Sequence, residues 1–374
     1  MLEGKMLKVL FLIHDLGQGG AEKVLVNLVN NMDRTKFDIT VMTLFSGGVN
    51  EQFLAKDIKY KTIYKRMIRG NSKLMKLLSP RTLHKMYVKE KYDIEISFLE
   101  GPCARIISGC KNPETKKVSW IHVEQHTLEA LATSFRNKDE AINCYNKFDR
   151  VVCISDYVRN DFSSILNYQK PCDVLYNTIE SEKILELSKQ PVNIQFDNSV
   201  LNLIAVGTLK KSKGYDRMLS VVNRLTAEGI KIHLYILGIG YLQTELEQFV
   251  ERNNLEKVIT FVGYDVNPYR YVARADLFIC TSHSEGFSTA ATESLIVGTP
   301  VCTVEVSGMK EMLGENNEFG VVTDNDEFAF YNGLKTLLGN PALLQHYKEQ
   351  AKIRGSYFSK KNTVRAVEEL LESI

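Results

Sequence analysis

Residues 276–304 read DLFICTSHSEGFSTAATESLIVGTPVCTV. The stretch opens on an apolar strand, 276–281, and turns through a polar loop. Ser288 and Thr289 are residues that cap helices. A helix is predicted to run to Val297, with Gly298 as its stop. Residues 300–304, PVCTV, then form a second strand. A strand, a crossover helix and another strand make a parallel pair, because parallel strands cannot be joined by a tight hairpin. This unit decides the fold class: an α/β chain with parallel sheets.

The same alternation extends in both directions. Apolar runs at 201–206, 231–237 and 258–262 precede it, and runs at 8–13, 37–44, 93–98, 117–121 and 151–155 occupy the first half. Several are apolar throughout and rich in Val and Ile, as expected for strands covered on both faces. Helices are predicted to fill the gaps. A polar stretch at Lys189–Ser199, holding Pro191, separates two series of strands. The reading is a doubly wound architecture in two domains, 1–190 and 198–355, with an amphipathic tail helix at 356–374. At 374 residues, the length fits two domains.

Composition excludes several classes. With 44% hydrophobic and 25% charged residues the chain is neither disordered nor fibrous. No apolar run approaches the roughly 20 residues of a membrane span. Val9–Ile13 is followed at once by His14 and Asp15, which reads as a buried strand and not a signal peptide. The seven cysteines are scattered without a CxxC pair, which points away from a disulfide framework or a zinc site and towards a reducing compartment.

Four segments carry candidate chemistry. Gly17-Gln18-Gly19-Gly20 follows the first strand and opens a helix. Glycines there let a ligand approach the backbone, and a helix start favours anions. The run also reads as a plain tight turn, and it lacks the GxGxxG fingerprint, which weighs against a dinucleotide-dependent dehydrogenase. Val206–Asp216 places Lys210, Lys211 and Lys213 in a loop at a strand's carboxyl end, suited to a diphosphate or merely solvated. In Ser282–Ser294, Glu285 precedes the helix and Glu293 lies inside it. A carboxylate accepts the paired hydroxyls of a ribose or sugar, so two of them eight positions apart suit a nucleotide-sugar. Glu293 sits among small and apolar neighbours and needs a partner. Lastly, Ser119–His126 carries the only Trp and two histidines. No further ligand set accompanies them, so no metal is expected, and His122 reads as a hydrogen-bonding or acid/base group at a strand end.

Taken together, these segments resemble family-four glycosyltransferases with the GT-B fold, over nearly the whole chain. The most specific part is Glu285 and Glu293 within SEGFSTAATESLIVGTPV; residues 19–22, 153–162 and 206–219 support it in order. The resemblance implies two facing Rossmann-like domains, with the tail helix crossing back to the first. It implies retaining, metal-independent transfer from a nucleoside diphosphate sugar, UDP-linked as a family-level expectation, with no cofactor. Glu293 would bind the ribose and Glu285 the donor sugar. Lys213 and the N–H groups at Ser288 and Thr289 would take the diphosphate, alongside Thr208, Gly286 and Phe287. Gly263 and Tyr264 would lie against the base, Gly19 and Gly20 would approach the phosphates, and His122 would face the donor sugar and acceptor. One departure stands out. The family usually carries Arg where this chain has Thr208; either Lys210 or Lys211 substitutes for it or the donor is held more weakly, and a second reading stays open, a non-catalytic GT-B subunit serving a catalytic partner.

Charge points to the acceptor. Residues 1–190 hold 29 Lys and Arg against 23 Asp and Glu, and the remainder 18 against 22. Twelve of those basic residues fall between Lys56 and Lys91. Ser79-Pro80 starts a helix on which Leu83, Met86 and Tyr87 share a face, with Lys73, Lys76, Arg81, Lys85 and Lys89 around it. Such a helix can lie on an anionic bilayer or simply pack on its own domain. The expectation is a cytoplasmic enzyme, peripheral at the inner membrane face, adding sugar to a glycan or lipid-linked acceptor of a bacterial surface polysaccharide such as capsule or lipopolysaccharide. No recognition-helix pattern points to nucleic acid.

Overall fold

The computed structural model describes residues 6–17, 19–66, 75–283, 287–306 and 308–374. It divides into two compact units. The first takes the chain up to Ile179 together with Lys361–Ile374, and the second takes Glu180–Lys360.

The first unit is built on β1 (Leu7–Ile13), β2 (Phe37–Phe45), β3 (Lys59–Tyr64), β4 (Ile94–Ser97), β5 (Lys116–Ile121), β6 (Arg150–Cys153) and β7 (Cys172–Val174). Their order is β3-β2-β1-β4-β5-β6-β7, with every described pair parallel. Val9–Ile13 are fully buried in the middle of the sheet, which is why the run carries no polar alternation. The second unit repeats the plan with β8 (Leu201–Val206), β9 (Ile232–Leu237), β10 (Ile259–Gly263), β11 (Leu277–Cys280), β12 (Val301–Val304) and β13 (Val321–Thr323). The order is β10-β9-β8-β11-β12-β13, again parallel. In each sheet the order reverses beside the first strand, between β1 and β4 and between β8 and β11. Ligands of such sheets bind outside the carboxyl ends of the strands at that reversal.

Helices do not fill every gap. Residues 45–66 hold a single 3₁₀ turn, Glu51–Phe53, and the strand β3. β3 reads KYKTIY, an edge strand with lysines facing solvent, and β7 and β13 are edge strands of three residues. Edge strands lack the continuous apolar run that marks a central one, and lysine on an edge deters further pairing.

The chain leaves the first unit at Ile179, before the polar stretch 189–199. Helix Ser181–Ser188 belongs to the second unit, where the Asn267 side chain donates to the Leu187 carbonyl at 3.0 Å. Helix Lys360–Ser373 returns to the first unit and buries Val364, Val367 and Leu371. The Asp33 N–H donates to Glu368 at 2.6 Å, and Lys36 pairs with Glu372 at 2.7 Å.

Candidate functional site

At the carboxyl end of β8 the chain makes a 3₁₀ turn, Lys211–Lys213, and enters helix Tyr215–Ala227 through Gly214. Gly214 sits at φ +62°, and a Cβ there would collide with the Thr281 carbonyl, so only glycine fits. The Thr281 hydroxyl donates to the Gly214 carbonyl at 2.8 Å, and the His283 N–H donates to the Ser212 carbonyl at 2.8 Å. Arg217, buried on the helix, spends its guanidinium on the same loop: Nε donates to Thr281 at 2.7 Å and Nη2 to Ser282 at 2.8 Å. Two segments nearly 70 residues apart are thereby locked together at the sheet's reversal point. A pocket of about 290 Å³ of atom-free space, open solvent included, lies there and is lined by Lys213, Tyr215, Thr281, Ser282 and Ser288 among others. Thr208, Lys210 and Lys211 are exposed and do not line it.

Helix Thr289–Ile296 begins at this pocket. The Ser288 hydroxyl caps it by accepting from Ala291 N–H at 3.4 Å. Thr289 is its first residue and is exposed. Phe287 is buried, its ring centroid 5.9 Å from that of Phe358, so its side chain serves packing. Glu293 has the partner its surroundings require: the Tyr269 hydroxyl donates to Oε1 at 3.1 Å. Burial, followed by the Glu293 charge, holds the Tyr269 phenol well above its ordinary pKa, so it remains a donor. Gly263 ends β10 at φ +84°, its carbonyl accepting from Gly238 N–H at 2.8 Å, and the neighbouring Tyr264 is 71% exposed. Glu285 and Gly286 lie outside the described residues.

In the first unit, Gly19 caps helix Gly20–Asn31 in extended geometry. A Cβ on Gly19 would collide with the Glu22 carboxylate, whereas nothing crowds Gly20. Asp15 accepts from Gly17 N–H at 2.7 Å. Burial pushes the Glu22 carboxyl up, its own backbone N–H pulls it back, and the Asp15 charge adds to the rise. The chain's own carboxylates thus lie against the start of this helix.

His122 follows β5 and is buried, with the Phe98 ring 4.9 Å away. Burial depresses its pKa to about 4, opposed by a hydrogen bond to the Phe98 backbone. The imidazole is therefore neutral at pH 7. Its Nε2 is buried and has no hydrogen-bond partner among the described residues. Sequence reasoning missed what fixes it. Glu100, just beyond β4, accepts from the backbone N–H groups of both His122 and Val123, the latter at 3.0 Å. Burial pushes the Glu100 carboxyl up despite these bonds. Asp161 does the same for the N–H groups of Gln125 at 2.7 Å and His126 at 3.3 Å. Two carboxylates thus strap residues 122–126, and His126 takes φ +57° within the strap. An acidic residue directly after an apolar strand was the available signal for Glu100. Tyr269 and Arg217 carried no signal, because their roles depend on partners distant in sequence.

The basic helix is only partly as expected. Ser79 caps helix Pro80–Tyr87 by accepting from Thr82 N–H at 3.1 Å. Leu83 is fully buried and the Tyr87 hydroxyl bonds that of Tyr64, so most of the expected apolar face packs on its own unit. Of that face only Met86 stays exposed. Arg81, Lys85 and Lys89 are exposed, Lys76 is half-buried, and Lys73 lies outside the described residues. Among the described residues no helix is long and apolar enough to cross a membrane.

Comparisons with known proteins agree with this architecture. Residues 18–183 match the family described as Glycosyltransferase Family 4, and residues 189–354 match Glycosyl transferases group 1. A Campylobacter jejuni protein named N-acetylgalactosamine-N,N'-diacetylbacillosaminyl-diphospho-undecaprenol 4-alpha-N-acetylgalactosaminyltransferase is 29% identical, over 95% of this chain and 96% of its own. The crystal structure of Anabaena HepE in complex with UDP superimposes with a TM-score of 0.76 at 18% identity, covering 98% of this chain and all of that one. The lipopolysaccharide outer core galactosyltransferase WaaB gives 0.74 at 17% identity, covering 98% and 99%. Matched in sequence along almost its whole length and in fold on two parallel Rossmann-like sheets, this chain belongs to the family-four glycosyltransferases of GT-B fold.

Proposed function

We propose that the protein transfers a sugar, with retention and without a bound metal, from a UDP-sugar to a lipid-linked glycan acceptor in surface polysaccharide synthesis. One observation carries the reading: Lys213 and the start of helix Thr289–Ile296 line the same pocket, at the reversal point of the second sheet. A lysine charge and a helix N-terminus stabilise the charge that grows on a leaving diphosphate, the task a divalent cation performs elsewhere. Glu293, oriented by Tyr269, accepts the ribose hydroxyls, while Gly263 and Tyr264 meet the base. The backbone at Phe287, Ser288 and Thr289 meets the phosphates. Glu285 holds the donor sugar near the reacting carbon. Neutral His122 offers the Nε2 lone pair to a sugar hydroxyl. The leaving phosphate helps to deprotonate the acceptor on the front face. The acceptor class follows the diphospho-undecaprenol named for the Campylobacter relative, and the UDP preference follows the nucleotide bound in HepE. Exposed Arg81, Lys85 and Lys89, with Lys73 and Lys76, would meet an anionic inner-leaflet surface; such cations contribute about 1 kcal/mol each.

Calorimetry and thermal shift with UDP in EDTA test the donor site. At 100 times its dissociation constant UDP should stabilise the fold by about 2.7 kcal/mol. Sugar transfer that survives EDTA, stops in Glu285→Ala and keeps the anomeric configuration by NMR completes the reading. The exposed Thr208 favours one rival, a non-catalytic GT-B subunit. That rival takes over if no nucleoside diphosphate binds and no donor is consumed.

A further inference from the structure

In the first unit, apart from the residues assigned to donor binding, three side chains of different chemistry meet in the interior. His84 comes from helix Pro80–Tyr87, Glu95 from β4, and Cys110 from the turn after helix Pro102–Ile107. Nε2 of His84 lies 2.7 Å from Oε2 of Glu95, and Sγ of Cys110 lies 3.7 Å from Oε1 of the same carboxylate. All the donor atoms fall within 4.8 Å of one another, and among the described residues this is the one place where three such side chains converge. Glu95 is 2% exposed and stands between Ile94 and Ile96, both buried in the sheet. Placing a carboxylate in such a position is costly without strong compensation.

We infer that His84, Glu95 and Cys110 form a binding site for a zinc-like divalent transition metal. Ligand atoms on one tetrahedral zinc lie about 3.2–3.8 Å apart, given bonds of about 2.0–2.3 Å. The present spacings reach that range with small side-chain shifts. Glu95 would give the ion one carboxylate oxygen, so the three residues supply three donor atoms and leave a fourth position for water. An imidazole, a thiolate and a carboxylate together favour Zn²⁺ or Co²⁺ over Mg²⁺ or Ca²⁺, which take oxygen ligands. Binding displaces the proton shared by His84 and Glu95 and the proton of the thiol. The ion would tie helix Pro80–Tyr87, bearer of Arg81 and Lys85, to the centre of the first sheet. This role is structural and is separate from sugar transfer, which needs no metal in the reading above. The scattered cysteines gave no hint of it, because the three ligands span 27 positions and converge only through the β4 crossover.

The test uses the full-length chain, stripped of metal and titrated with Co²⁺ and then Zn²⁺. The expected result is one equivalent of Co²⁺ with a thiolate-to-cobalt charge-transfer band, displaced by Zn²⁺, and a rise in thermal midpoint on adding Zn²⁺. Cys110→Ser, which keeps the size of the side chain, should lose the band and bind Zn²⁺ at least about tenfold more weakly. Cys144→Ser should keep both. His84→Gln gives a second variant if Cys110→Ser folds poorly. No stoichiometric Co²⁺ band in the parent chain, or a band that survives Cys110→Ser, overturns the site and leaves a hydrogen-bonded ion pair. UDP affinity should be the same with and without Zn²⁺, so failure of the donor reading and failure of the metal site are separable.

Discussion

His122 titrates at about 4 in the fold against 6.5 when unconstrained, because burial penalises the imidazolium. Between those values the unfolded chain binds a proton that the folded chain refuses, so stability falls as pH drops from 6.5 towards 4. The loss is at most about 3 kcal/mol, from 1.36 kcal/mol per pKa unit. Denaturation of the parent and of His122→Asn at pH 7 and pH 5 should show a smaller pH-dependent loss in the variant; equal losses would contradict the assignment. Glu100→Ala should strand two backbone N–H groups and cost roughly 2–4 kcal/mol, with Glu100→Gln costing less because it keeps an acceptor. Urea midpoints for the pair give the answer. His122 was legible at this scale from its place at a strand end. Glu100 was signalled only by an acidic residue soon after an apolar strand and Asp161 by nothing, because their carboxylates act on backbone donors more than 20 residues away, and no side-chain motif records a bond to a main chain.

The decisive elements of the second unit are the two loops after β8 and β11. Their lysines, glycines and glutamates were readable as a nucleotide-sugar motif. Their joining was not, because it runs through carbonyls and through Arg217, a residue that looks like any surface arginine of an amphipathic helix. The clamp makes Gly214 the sensitive position. Gly214→Ala adds backbone strain of about 1–2 kcal/mol and a collision with Thr281. It should lower stability by at least about 2 kcal/mol and weaken UDP binding by more than tenfold, both measurable on one preparation; unchanged UDP affinity would mean that the loops bind nucleotide independently. The edge strands show the opposite limit. β3 was hidden in a basic segment because its alternation of lysine with tyrosine and threonine reads as charge before it reads as a strand.

The plan of the whole molecule was legible because central parallel strands leave unmistakable apolar runs, and two successive series of them mean two sheets. The path between the sheets was harder to read, since the polar stretch 189–199 marks a composition change and not the crossing at Ile179. Helix Lys360–Ser373 is part of the first unit, and removing residues 361–374 strips Val364, Val367 and Leu371 from its core. At about 1.5–3 kcal/mol for each buried apolar side chain, the truncated chain should lose most of the stability of that unit. Hydrogen exchange should then quicken in Phe37–Phe45 while β8 and β11 stay protected. The second unit is thus an insertion within the first. A ribosome making this chain therefore completes Glu180–Lys360 before it supplies the helix that closes the sheet begun at Leu7. The first half must wait, open along one side, until the second unit has been translated. A ribosome paused just after Lys360 would leave the first unit exposed and the second intact.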